Sequence, residues 1–89
     1  MRSEIIAIIA DFLEVPPEQL VDDKTIEDLN IDSLDFYEIA FEIEEKFDAP
    51  VISELQRRRD QIHNLGDVLR FTEDVIVKSR ESKSAKTDG

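Results

Sequence analysis

The sequence predicts an all-α fold, a four-helix bundle with a long connection between the first and second helices and a short third helix. Three observations carry this. Apolar residues recur at three- and four-residue steps in separate segments, the spacing of one buried helical face. No apolar–polar alternation persists long enough for a strand. The three prolines, Pro16, Pro17 and Pro50, fall between the periodic segments, where a missing N–H and a restricted preceding residue end helices.

The first helix is predicted over residues 3–13, with Ile5, Ile6, Ile9, Phe12 and Leu13 on its inner face, and Val15-Pro16-Pro17 stops it. The connection over residues 18–31 offers Leu20, Val21, Ile26 and Leu29 as anchors. Thr25 can start a helical turn there, its hydroxyl capping together with Asp28. A connection of that length is uncommon in a small domain and points to a function of its own. The second helix begins at Asp32 or Ser33, either a suitable N-cap, and runs to about Phe47. A short third helix is expected over residues 52–58, its end blurred by Arg57-Arg58-Arg59. Asn64 and Asp67 have capping-box spacing for a last helix, whose inward stripe is Leu65, Val68, Leu69, Thr72, Val75 and Ile76 and which closes near Lys78. Ala85 is the one hydrophobic residue of residues 79–89, which are expected to form a disordered polar tail. The organisation is one domain over residues 1–78 and a tail over 79–89.

Composition narrows the function. Eighty-nine residues leave room for a single small core and none for a large catalytic cleft. Twenty-two acids against eleven bases give a formal charge of −11, which repels nucleic acid and anionic membrane surfaces and suits basic protein partners. Residues 1–56 hold sixteen acids and three bases, whereas residues 57–89 hold six acids and eight bases. With no cysteine, disulfides, Cys-based zinc sites and intrinsic thiol chemistry are all excluded. The longest apolar run, residues 5–10, is too short to span a bilayer, so no membrane insertion is expected. A soluble, cytoplasmic monomer is the expectation.

The second helix carries two apolar sectors. Phe36, Ile39, Ala40, Ile43 and Phe47 share the core face; Leu34, Tyr37 and Phe41 form a second stripe flanked by Asp35, Glu38, Glu42, Glu44 and Glu45. Periodicity alone allows either a helix buried over a wide arc or a docking surface with an apolar centre and a charged rim. Ser33, taken alone, is a cap.

The run Leu29-Asn30-Ile31-Asp32-Ser33-Leu34-Asp35-Phe36-Tyr37-Glu38-Ile39, followed by Ile43-Glu44-Glu45-Lys46-Phe47 and later Leu65-Gly66-Asp67-Val68, resembles the phosphopantetheine attachment region of acyl carrier proteins. The resemblance covers about residues 3–78. It implies covalent 4′-phosphopantetheine, taken from coenzyme A, on the Ser33 hydroxyl, supplying the thiol that the chain lacks. A helix N-terminus suits that phosphate, because its free N–H groups and dipole favour an anion. The resemblance further implies that Asp32 meets basic residues of the phosphopantetheinyl transferase and holds metal with it, while the chain itself has no metal site. It implies a carrier and no enzyme, with no catalytic residue, presenting acyl thioesters to acyltransferases, synthases and other enzymes of fatty-acid, lipid or polyketide synthesis that carry basic docking patches. Asp32, Leu34, Asp35, Tyr37, Glu38, Phe41, Glu44, Glu45 and Arg57-Arg58-Arg59 are the expected docking residues, and Ile39, Ile43 and Ile62 the expected acyl-chain shelter.

The chain departs from the family pattern at Asn30, usually glycine; at Glu42, usually small and apolar; at the bulky Tyr37 and Phe41; and at the arginine run, where the short helix is generally acidic. That run is either a solvated turn pairing with acids of the second helix or a selector of dedicated partners. An aminoacyl or peptidyl carrier, or an acidic adaptor that is never modified, are the alternatives. Asp28, Asn30 and Asp32 have the first spacings of a calcium-binding loop, but Ser33, Asp35 and Ile39 fail its glycine, apolar and glutamate positions. A hydrolase using Ser33 and His63 lacks a nucleophile elbow and an oxyanion loop.

Overall fold

The computed structural model describes residues 1–88, with side chains through Glu81, and shows four helices joined by irregular segments. Helix α1 spans Arg2–Leu13, α2 Ser33–Phe47, α3 Val51–Arg57 and α4 Leu65–Asp88, with single 3₁₀ turns at Pro17–Gln19 and Arg59–Gln61. Among the described residues there is no β-strand; the sole bridge pairs Thr25 with Asn64.

The expected inner faces form the core. Ile5, Ile9 and Ala10 of α1 meet Ile39, Ala40 and Ile43 of α2, Val51 and Leu55 of α3, and all six stripe residues of α4. Ile6, Phe12, Leu13, Phe36 and Phe47 pack against this cluster half-buried. Thr72 is the one polar residue in that stripe; it is fully buried and its hydroxyl has no hydrogen-bond partner among the described residues.

Helix ends follow local chemistry. At the end of α1, Glu14 adopts the left-handed conformation (φ 58°), and the N–H groups of Glu14 and Val15 donate to the carbonyls of Asp11 and Ala10 at 3.3 and 3.1 Å, a Schellman closure. Asp48 closes α2 in the same backbone region, its N–H donating to Glu44 at 2.8 Å. Helix α3 starts one residue earlier than expected, at Val51 behind Pro50, because the Glu44 carboxylate accepts the Ile52 N–H at 3.0 Å. Asn64 Oδ1 accepts the Asp67 N–H at 2.9 Å and caps α4. The return bond is displaced by one residue, since the Asp67 carboxylate accepts from His63.

The connection over residues 14–32 is anchored from both sides. Leu20 is buried, Ile26, Leu29 and Ile31 pack on the core, and Val21, expected as an anchor, is instead exposed. Its carbonyls at Lys24 and Asp22 accept the N–H groups of Leu65 and Gly66 at 2.7 and 3.1 Å, so the loop supplies partners for the open start of α4. A side chain at Gly66 would lie 3.1 Å from the Asp22 Cβ, so glycine permits this approach. Arg2 adds an ion-pair tie, reaching Glu73 at 3.0 Å and Asp22 at 3.4 Å.

Helix α4 overruns its expected end near Lys78. Residues 79–88, read from composition as a disordered polar tail, continue the helix, since Arg80, Glu81, Lys83, Ala85 and Lys86 are good helix formers and neither proline nor glycine interrupts before Gly89. Gly89, the last residue of that expected tail, lies outside the described residues.

Candidate functional site

The start of α2 is assembled by the turn before it. Thr25 and Asp28 bond reciprocally, the Asp28 N–H to the Thr25 hydroxyl at 2.9 Å and the Thr25 N–H to the Asp28 carboxylate at 3.2 Å. The Thr25 N–H holds the Asp28 carboxyl below its ordinary value. Asn30 then turns left-handed (φ 57°), its N–H donating to Glu27 at 3.0 Å and that of Ile31 to Ile26 at 3.2 Å. This is a second Schellman closure, and it explains why asparagine can stand where glycine is usual: both tolerate the left-handed region. The chain leaves the turn extended at Asp32 (φ −89°, ψ 180°), whose carboxylate accepts the Asp35 N–H at 2.8 Å and caps α2.

Asp32, not Ser33, is therefore the cap, and Ser33 stands as the first residue of the helix with an exposed side chain. The N–H groups of Ser33 and Leu34 have no partner among the described residues, so the helix presents free donors beside the Ser33 hydroxyl. An exposed hydroxyl at an open helix start fits a phosphate ester. His63, the single histidine, does not line the cleft beside Ser33, and the described residues hold no cluster of potential metal ligands.

Two surfaces flank Ser33. On one side α2 exposes Leu34 (66%), Tyr37 (49%) and Phe41 (49%), with Glu38, Glu42 and Glu45 exposed and Asp35 half-buried beside them. The alternative of a helix buried over a wide arc is thereby excluded. Glu44 stands apart from this rim, half-buried and committed to the start of α3.

On the other side a cleft of about 650 Å³ opens between the turn, α2, α3 and the Arg59–Gln61 turn. Ile26, Ile31, Phe36, Ala40, Ile52 and Ile62 give it an apolar wall, and Ser33, Asp32, Glu27, Tyr37, Gln56 and Arg59 line it with polar groups. Of the three residues expected to shelter a chain, Ile62 lines this cleft, whereas Ile39 and Ile43 are closed into the core. The rest of the apolar wall leaves no periodic trace in the sequence, because the whole wall draws one or two side chains from each of four segments.

The arginine run divides. Arg57 is 75% exposed and pairs with Glu54 at 3.4 Å. Arg58 is 25% exposed, pairs with Glu54 at 3.2 Å and Asp74 at 3.5 Å, and lies 4.9 Å from the Phe71 ring centroid. The acids it meets belong to α3 and α4, which corrects the expectation that the run would pair with acids of α2. Arg59, in the 3₁₀ turn, lines the cleft and makes no ion pair among the described residues.

Comparison with known proteins agrees with this geometry. Residues 3–71 match the family described as phosphopantetheine attachment site. The acyl carrier protein of Chlamydia trachomatis serovar D is 43% identical over 75 residues, covering 83% of this chain and 94% of that protein. The acyl carrier protein of a Sulfurovum species is 35% identical over 69 residues (76% and 88%), and that of Borrelia garinii 33% over 70 residues (78% and 84%). The chain belongs to the acyl carrier protein family, whose members hold a covalently attached 4′-phosphopantetheine and are carriers, not enzymes.

Proposed function

We propose that this protein carries acyl groups as thioesters on 4′-phosphopantetheine attached at Ser33, and presents them to acyl-processing enzymes of fatty-acid, lipid or polyketide synthesis that dock on α2. The observation that carries this reading is the position of Ser33. It is exposed, stands beside free helix N–H donors, and separates an apolar cleft from an acid-rimmed apolar stripe. When attached, the arm supplies the thiol. Ser33 supplies the oxygen that bonds to the phosphorus of coenzyme A's pantetheine phosphate; the diphosphate bond breaks, adenosine bisphosphate leaves, and the serine proton passes to a base of the transferase. His63, the single histidine, does not line the cleft beside Ser33.

Leu34, Tyr37 and Phe41 form the centre of the docking surface, with Asp32, Asp35, Glu38 and Glu45 as the charges that partner lysines and arginines read. Such rims speed encounters and make them salt-sensitive. Arg57, 75% exposed, is the member of the basic run offered to partners, whereas Arg58 is turned to α4 and Arg59 to the cleft. The apolar wall of the cleft supports a hydrocarbon cargo over an aminoacyl or peptidyl one. A cytoplasmic location and a monomeric state complete the reading.

Incubation with coenzyme A, magnesium and a broad-specificity phosphopantetheinyl transferase, read by intact mass, tests it. One phosphopantetheine is added to the wild type and none to Ser33→Ala. No addition even with the cognate transferase would leave the unmodified acidic adaptor as the surviving reading.

A further inference from the structure

We propose that Arg59 is the built-in counter-ion of the phosphodiester at Ser33, fastening the root of the arm across the cleft mouth so that the arm turns inward. The inference rests on attachment at Ser33 and concerns what this chain does with the arm once it is there.

Attachment places a new negative charge where the chain is already acidic. Asp32 and Glu27 line the same cleft as Ser33, and Asp35 lies in the first turn of α2. The Asp32 carboxylate, fixed in place by the Asp35 N–H, is itself an anion and adds to the repulsion. The free N–H groups of Ser33 and Leu34 provide two donors and the helix dipole, but no full charge.

Among the described residues one cation lines this cleft, and it is Arg59. Its two neighbours are engaged elsewhere: Arg57 with Glu54, Arg58 with Glu54 and Asp74. Arg59 lines a cleft with two acids, yet forms no ion pair with either among the described residues. Its backbone is held, because its carbonyl accepts the Ile62 N–H at 3.2 Å, closing the 3₁₀ turn and putting Arg59 and Ile62 on one wall. A guanidinium is suited to the site, since it can give a phosphate two parallel N–H bonds where an ammonium acts as a point charge. Arg59 is thus a positioning residue. By pinning the phosphate toward the α3 side of the mouth, it directs the rest of the arm along the apolar wall and away from the exposed stripe of α2.

The test uses the full chain, loaded enzymatically and checked by intact mass, as wild type, Arg59→Gln, Arg59→Lys and Arg57→Gln. Phosphorus NMR of the phosphodiester and methyl NMR of Ile62 and Ile26 report whether the arm is seated, and thermal melts of the unloaded proteins control for folding. In Arg59→Gln the ratio of seated to free arm is expected to fall about twofold to fivefold, the range of a partly exposed ion pair. The phosphorus resonance then moves toward its value for a phosphopantetheinyl-serine peptide. Arg59→Lys recovers part of the shift, Arg57→Gln leaves it in place, and added salt moves the wild type toward Arg59→Gln. Identical phosphorus and methyl signals in loaded wild type and Arg59→Gln overturn the inference while leaving attachment intact. An equal effect of Arg57→Gln overturns it as well, by showing only general electrostatics. Failure to load Ser33 at all overturns the attachment reading, and the inference with it.

Discussion

Arg58 offers a sharp test of how the basic run is divided, because sequence treats its three arginines alike and the structure does not. Replacing Arg58 with glutamine removes pairs to Glu54 at 3.2 Å and Asp74 at 3.5 Å and a cation–π contact at 4.9 Å from Phe71. Neither acid is orphaned. Glu54 retains Arg57 and Asp74 retains Lys78 at 3.2 Å, so no penalty for an unpaired buried charge is added. The loss is then the cation–π term, about 1 kcal/mol at a site this sheltered, plus roughly 0.5 kcal/mol for each of the two partly exposed pairs. The sum of about 2 kcal/mol corresponds to a Tm lowered by roughly 8–16 °C in a domain of this size. Arg57→Gln, which loses one pair on a largely exposed side chain, should stay within about 0.5 kcal/mol of the wild type. Urea and thermal unfolding followed by circular dichroism measure both. Equal stabilities for the two variants would refute the assignment of Arg58 to the α3–α4 contact.

Other substitutions probe separate links. Thr72→Val removes a buried hydroxyl without a partner and should stabilise the fold by about 1 kcal/mol or more in urea melts, whereas a loss of stability would reveal a hydrogen bond there. Asn30→Ala forces a Cβ-bearing residue without a polar tip into the left-handed region and should cost about 1 kcal/mol, while Asn30→Gly should be near neutral; equal losses would refute the backbone explanation for this departure from the family pattern. Asp28 and Asp67 have carboxyls held below the ordinary value of 3.8 chiefly by the N–H groups of Thr25 and His63, so they bind protons more weakly folded than unfolded. Their contribution is therefore present above the ordinary value and lost as pH falls through the lowered folded one. Asp28→Asn and Asp67→Asn should each flatten the decline of stability below about pH 4, and an unchanged acid slope would count against those hydrogen bonds.

Much of the fold could be read from the sequence because helical burial leaves a periodic trace. All six residues expected on the inner stripe of α4 are buried, and α2 begins and ends where its caps and Pro50 place it. The reciprocal Thr25–Asp28 turn was legible from its three-residue spacing. What periodicity could not decide was the fate of Leu34, Tyr37 and Phe41, since exposure of a second stripe depends on which helices pack beside α2. The sequence likewise gave no sign that Glu44 caps α3, a bond between residues eight apart on two elements. Arg58 turns inward only because α3 places it over Phe71 and Asp74. The length of α4 was underestimated because low hydrophobicity argues against packing but says little against helix formation by straight-chain residues.

The cleft was the least legible feature. Ile39 and Ile43, expected from the family resemblance to shelter a chain where the core parts, lie closed in the core. The open wall is built where periodicity breaks down, from Ile26 and Ile31 in an irregular turn and Ile62 after a 3₁₀ turn.

The most direct measurement is the mass spectrum of the protein isolated from its native cells, with fragmentation that locates any modification along the chain. The expected result is a phosphopantetheine on the peptide containing Ser33, part of it bearing a hydrocarbon acyl group as a thioester. A native protein wholly unmodified at Ser33, or modified at another residue, would contradict the assignment of this serine as the point where cargo is held.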